Sequence, residues 1–248
     1  MQDLSLKEML ASAMHFGHKT QKWNPKMKPY IYGKRSGIHI FDLQQTAQEM
    51  QKMLEYIHQA VLDGKKIIFV GTKQHTASLL KDIHKTTGMP IVTHRWVGGM
   101  LTNFSTIKER IRKYKQLKKE EENNELSRYT KKEQIKLKKE IKKLEDVFNG
   151  IEDMFAIPEI MFVVDACRDL TAVKEARKLK MKVLGICDTN ADPDVFDQFI
   201  PANDDALKSV TYILGFVKEI ILDAQKSKPK QKKEEVVKMK KEEDKISE

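Results

Sequence analysis

Five short apolar runs rich in β-branched residues, at 38–41, 67–70, 91–93, 160–164 and 183–186, limit what this chain can fold into. Phe199 and Ile200 begin a sixth. Runs of this length without polar alternation are the pattern of strands covered on both faces. Helical patterns separate most of them. Residues 43–62 set Met50, Met53, Leu54, Ile57 and Val61 at helical spacing, and 73–86 and 170–180 read as shorter helices. Strand and helix alternating over about 160 residues predict a parallel sheet with helices on both faces, joined by right-handed crossovers.

The alternation breaks once. From 103 to 149 there is no strand signal, and two amphipathic helices are expected instead. Phe104, Ile107, Ile111, Tyr114 and Leu117 form the stripe of the first, and Ile135, Leu137, Ile141, Leu144 and Phe148 that of the second. A polar turn at 121–124 separates them, and Thr130 with Glu133 has the spacing of a capping box. Arms of about 20 residues at 1.5 Å each would reach about 30 Å, zipped antiparallel as an inserted coiled-coil hairpin. The core domain is then 1–102 with 150–226. A last helix follows Asn203 with Leu207, Val210, Leu214, Val217 and Ile221 on its inner face, and the Lys/Glu-rich 227–248 reads as a disordered tail.

Charge narrows the function. The 248 residues carry a formal charge of +10, which favours an acidic partner. No apolar run approaches the roughly 20 residues of a membrane span, and the opening MQDLSLKEML lacks a signal-type stretch, so a cytoplasmic protein is expected. The charge is concentrated at 15–41, where six Lys or Arg and no carboxylate share the chain with Phe16, Trp23, Tyr30 and Tyr32. Cations neutralise phosphates and aromatic faces stack on unpaired bases, so this arm is the first candidate for RNA contact. Lys19, Lys22, Lys26, Lys28, Lys34 and Arg35 are assigned to phosphates, and Trp23, Tyr30 and Trp96 to packing or stacking. Residues 108–145 hold 15 Lys or Arg against 8 Glu. Arg95, Lys108, Arg112, Lys115, Lys118 and Lys119 are therefore second-rank candidates, weighed against an ordinary solvated helix surface.

Catalytic signals are thinner. Ligands of open parallel sheets sit beyond the carboxyl ends of the strands, and three such ends are readable: Gly71-Thr72-Lys73, Asp165 and Asp188. A Mg²⁺-dependent phosphoryl-transfer enzyme with Lys73 as its cation is the competing class. However, the glycine spacing matches neither common phosphate-binding loop, and aspartates after strands ordinarily cap turns. Residues 188–194 resemble the start of a calcium loop, but Pro193 stands where that loop needs Gly and Phe199 where it needs Glu, so an Asx-rich turn is expected. His15 and His18 lack a nearby third ligand. Cys167 and Cys187 are read as reduced thiols near strand ends. No catalytic residue, metal or cofactor is assigned.

The segment HRWVGGMLTNFSTI at 94–107 pairs a charge and a ring with two glycines. Together with FGHKTQKWNPKMKPYIYGKRSGIHIFDL at 16–43, FVGTK at 69–73, and DTNADPD with IPANDDA within 188–206, it closely resembles the bacterial small-subunit ribosomal protein two family. The resemblance runs from about residue 4 to 225 with order and spacing kept. It implies a flavodoxin-like core with a protruding helical hairpin and no catalytic role. It further implies binding of small-subunit rRNA at the head–body junction, late entry into the assembling subunit, and contact with neighbouring proteins including ribosomal protein one. The chain departs from the family where a Glu-His pair commonly follows the strand ending at Asp165, since Arg168-Asp169 stands there, and at Met181-Lys182-Val183 in place of Ile-Pro-Val. A free RNA chaperone would carry the same charge and remains a third class.

Overall fold

The structure is a computed structural model that describes residues 4–246, with side chains described as far as residue 227. Helix α1 (Leu6–Ala11) precedes three short strands, β1 (Phe16–Lys19), β2 (Ile31–Arg35) and β3 (Ile38–Phe41), with a 3-10 turn over Pro25–Tyr30. The core follows as α2 (Leu43–Leu62), β4 (Ile67–Val70), α3 (Ala77–Thr87) and β5 (Ile91–Val92). Helices α4 (Phe104–Glu122) and α5 (Lys131–Phe148) come next, then β6 (Ile160–Val163), α6 (Leu170–Lys178), β7 (Lys182–Cys187), β8 (Gln198–Pro201) and α7 (Leu207–Ile246).

Five strands form one parallel sheet in the order β5-β4-β6-β7-β8. Counted along the chain this is 2-1-3-4-5, the doubly wound order of flavodoxin-like folds. Four of the apolar runs and the short 199–200 signal thus lie in this sheet. The fifth run does not. β3 pairs antiparallel with both β1 and β2 in a separate three-stranded sheet of order β1-β3-β2. Ser36 and Gly37, both at positive φ (51° and 76°), make the two-residue turn that closes β2 on β3. Such turns match the twist of antiparallel partners. An apolar run alone does not reveal which kind of sheet will take it.

Side chains alternate across the parallel sheet. Ile68, Val70, Met161, Val163 and Val183 face one cluster, and Ile67, Phe69, Ile160, Phe162 and Leu184 face the other. The second cluster is closed by α1, α2, α3 and α7, through residues such as Met9, Met53, Leu80 and Val217. The first is closed by α6, by α4 and α5, and by Met27 of the 3-10 turn and Phe41 of β3. The basic segment and the inserted helices therefore sit on the same side of the sheet.

Ile107, Ile111, Tyr114 and Leu117 of α4 are buried with Ile141 and Phe148 of α5, and Lys113 lies 2.7 Å from Glu140 across the pair. Thr130 and Glu133 make the capping box that opens α5. Ile135 is 57% exposed rather than inward-facing. It falls two residues before Leu137, off the three-and-four stripe that meets α4. Leu207 is likewise half exposed at the start of α7, while Val210, Leu214, Val217 and Ile221 are buried. The disorder expected for 227–248 falls, after residue 227, on residues outside those described with their side chains. Among the described residues no helix is long and apolar enough to cross a membrane.

Candidate nucleic-acid interface

The arm at 15–41 is a small sheet pinned to the loop after β7. A Cβ on Gly17 would lie 2.5 Å from Thr189 Cγ2, so only glycine allows this approach. The His18 amide donates to Thr189 Oγ1 at 2.8 Å and the Asn24 amide to the Thr189 carbonyl at 2.7 Å. The His18 ring spans Asp188 (3.1 Å) and Asp205 (3.4 Å). The Asp188 hydrogen bond, helped by the charges of Asp204 and Asp205, raises the His18 pKa against the opposing pull of burial. Lys26 closes the socket with Asp192 at 3.0 Å and with Asp194. Asp192 also accepts from the Asp194 amide, the Asx turn expected of this stretch. Met27 is fully buried beneath.

All six phosphate candidates of the arm are exposed, and Lys26 is the only one in an ion pair among the described residues. Lys19, Lys22, Lys28, Lys34 and Arg35 thus project charge that no carboxylate of the described chain cancels. Trp23 is half-buried with its ring 4.9 Å from that of His39, and Tyr30 sets its edge on Phe199 at 5.0 Å. Tyr32, not chosen from sequence, is 82% exposed and is the most available ring of the arm. Its alternation with half-buried Ile31 and Gly33 is the signal that could have found it.

Of the two roles open to Trp96, packing or stacking, its surroundings are those of packing. It is 7% exposed, and its indole nitrogen donates to Glu175 at 3.1 Å. The same carboxylate accepts from the amides of Gly99, Leu101 and Thr102 and from the Thr102 hydroxyl. Burial opposes its ionisation, but these donors hold the Glu175 carboxyl below the ordinary glutamate value. Glu175 escapes a motif search. Its signal is a lone carboxylate on the face of α6 that buries Ala172, Val173 and Ala176. Arg95 remains exposed beside this loop. On α4, Lys108 lies over Phe104 (5.2 Å) and Lys118 over Tyr114 (5.7 Å), and Lys115 pairs with Asp153 at 3.0 Å. Arg112 and Lys119 are exposed.

The carboxyl ends of β4, β6 and β7 form the crevice where doubly wound folds take ligands. Here the protein's own groups fill it. Lys73 Nζ lies 2.9 Å from Asp165, 2.8 Å from Asp204 and 2.7 Å from Asp205. Burial alone would discharge this lysine, but the carboxylates outweigh it and raise its pKa. Burial, with Asp188 and Asp165 close by, pushes Asp204 up to about 7 despite Lys73. Asp188 is spent on His18 and on the Thr189 amide. Arg168 and Asp169, the departure from the family pattern, bind Thr72: the hydroxyl donates to Asp169 at 2.8 Å and accepts from Arg168 Nε at 3.0 Å. Burial and neighbouring aspartates lift the Cys167 thiol to about 11, far from a nucleophile's range. Among the described residues no group of three His, Cys, Asp or Glu is placed to hold a metal ion.

Residues 9–224 match the family model described as ribosomal protein S2. The chain is 44% identical over 220 residues to the small ribosomal subunit protein uS2 of Rippkaea orientalis, covering 89% of this chain and 82% of the relative. Identity to uS2 of Coprothermobacter proteolyticus is 39% over 225 residues (91% and 84% of the two chains), and to uS2 of Petrotoga mobilis 40% over 228 (92% and 79%).

Proposed function

The chain belongs to the ribosomal protein S2 family, and from that premise we propose that it binds small-subunit rRNA through its N-terminal sheet, with α4 and α5 as a second contact. Its role is structural, as a component of the small ribosomal subunit and not as an enzyme. The observation that carries the rRNA reading is the set of five exposed cations, Lys19, Lys22, Lys28, Lys34 and Arg35, on an arm without a carboxylate. Phosphates supply the missing counter-charge. The crevice at the strand ends supports the same division of labour, because Lys73 and its aspartates neutralise each other there. The sheet is the scaffold and its N-terminal appendage the contact.

The finer reading places the protein at the head–body junction of the subunit in the cytoplasm, beside neighbouring proteins that include ribosomal protein one. Hydroxyl-radical footprinting of subunits with and without the protein tests the position. Binding of rRNA by Lys19→Ala and Lys22→Ala proteins across a salt series tests the interface. Each phosphate contact removed should flatten the slope of log affinity against log salt by about 0.7 to 0.9. Slopes equal to the wild-type value in both variants would refute the arm as the interface.

A further inference from the structure

Beneath the exposed lysines the N-terminal sheet holds a depression of about 240 Å³ lined by Trp23, Lys28, Ile31, Gly33, Lys34 and His39. We propose that this depression receives one unpaired nucleobase of the bound RNA, stacked on Trp23, with Lys28 and Lys34 on the flanking phosphates. The inference rests on the rRNA reading above and adds what is recognised: a base taken out of a helix rather than the backbone alone.

Three observations converge on it. The space is smaller than the roughly 300 Å³ at which pockets for drug-sized ligands begin, so it suits a single ring system. Its wall combines an aromatic face with two exposed lysines, the composition that sequence-tolerant single-strand sites use. Gly33 completes the case. It has no positive φ and nothing lies within 4 Å of where its Cβ would be, so neither a left-handed φ nor close packing demands glycine there. Strands favour β-branched residues at such positions. A side chain at 33 would project into unfilled space at the edge of the depression, and its absence keeps the depression open.

The test uses the full-length protein with three RNAs of equal length: an unstructured single strand, a duplex, and a strand of abasic nucleotides that keeps every phosphate. The single strand should bind best and quench tryptophan emission, while the duplex and the abasic strand bind more weakly without quenching. Gly33→Val, which adds a side chain at the edge of the depression, and Trp23→Ala, which removes the platform, should each lower single-strand affinity about 5- to 150-fold, the range of one lost stacking contact. Their salt slopes should match the wild-type slope. Wild-type protein that binds the abasic strand as tightly as the intact one overturns the proposal without any variant. So does unchanged affinity in a Gly33→Val protein of normal melting temperature. Neither result touches the rRNA reading, which fails separately through the salt slopes of Lys19→Ala and Lys22→Ala.

Discussion

Glu175 shows how much one carboxylate can organise. Its five accepted hydrogen bonds tie the 94–103 loop to α6 and fix Trp96 against the core. Glu175→Ala would leave the indole and three amides without partners and should cost about 3 kcal/mol, read from the urea midpoint. Because the folded-state pKa is depressed, this stabilisation is present above the ordinary glutamate pKa and is lost as pH falls through the lowered value. His18 runs the other way. Its folded pKa is raised, so its hold on Asp188 and Asp205 is complete below the ordinary histidine pKa and fades as pH rises through the raised one. Asp204, raised to about 7, acts in the same direction, since ionising it costs more in the folded chain than in the unfolded one. Amide exchange at 16–24, corrected for intrinsic rate, should therefore quicken between pH 6 and pH 8. A His18→Gln protein should lose part of that dependence, and an identical profile would show that His18 does not latch the arm.

Helices α4 and α5 separate pattern from placement at the scale of the element. Ile135 and Ile141 look equally suited to an inner stripe, yet Ile135 is 57% exposed and Ile141 5%. Truncation should tell them apart. Ile141→Ala should destabilise by about 2 to 4 kcal/mol through lost burial and the cavity left behind, while Ile135→Ala should leave the denaturation midpoint where it was. Equal losses at the two sites would contradict the packing described for the pair. The Lys113–Glu140 contact is exposed on both sides, at 61% and 44% of the side-chain surface, so removing it should not move the melting temperature measurably.

Over the whole molecule, Lys73 ties the ends of two neighbouring strands to the start of the final helix. It reaches Asp165 after β6 and Asp204 and Asp205 before α7 from its own position after β4. Lys73→Met would leave buried carboxylates without their cation and should cost about 3 kcal/mol at pH 7, near the low end for a broken buried pair because Asp205 reaches solvent. The loss should shrink by pH 5, where Asp204 can take up a proton, and a loss that does not shrink would mean the cluster is not electrostatically coupled. The arm is joined to the same region through His18, so a weakened cluster should also loosen the proposed RNA-binding sheet.

The chain's own pattern determines the class of the core sheet, the alternation of its strands and helices, the acid-free arm and the interrupting helical pair. Each is local: apolar runs, helical spacing and charge are written in consecutive residues. The family, too, is legible in motifs such as WNPKM and HRWVGGMLTN. Tertiary structure alone decides the rest. Residues 38–41 join an antiparallel sheet instead of the parallel one, and Trp96 turns inward to Glu175 seventy-nine positions away. Lys73 meets carboxylates more than 130 residues later rather than a phosphate. In every such case the partner lies far along the chain. A residue's type states what it could bind, and only the fold states what has reached it first.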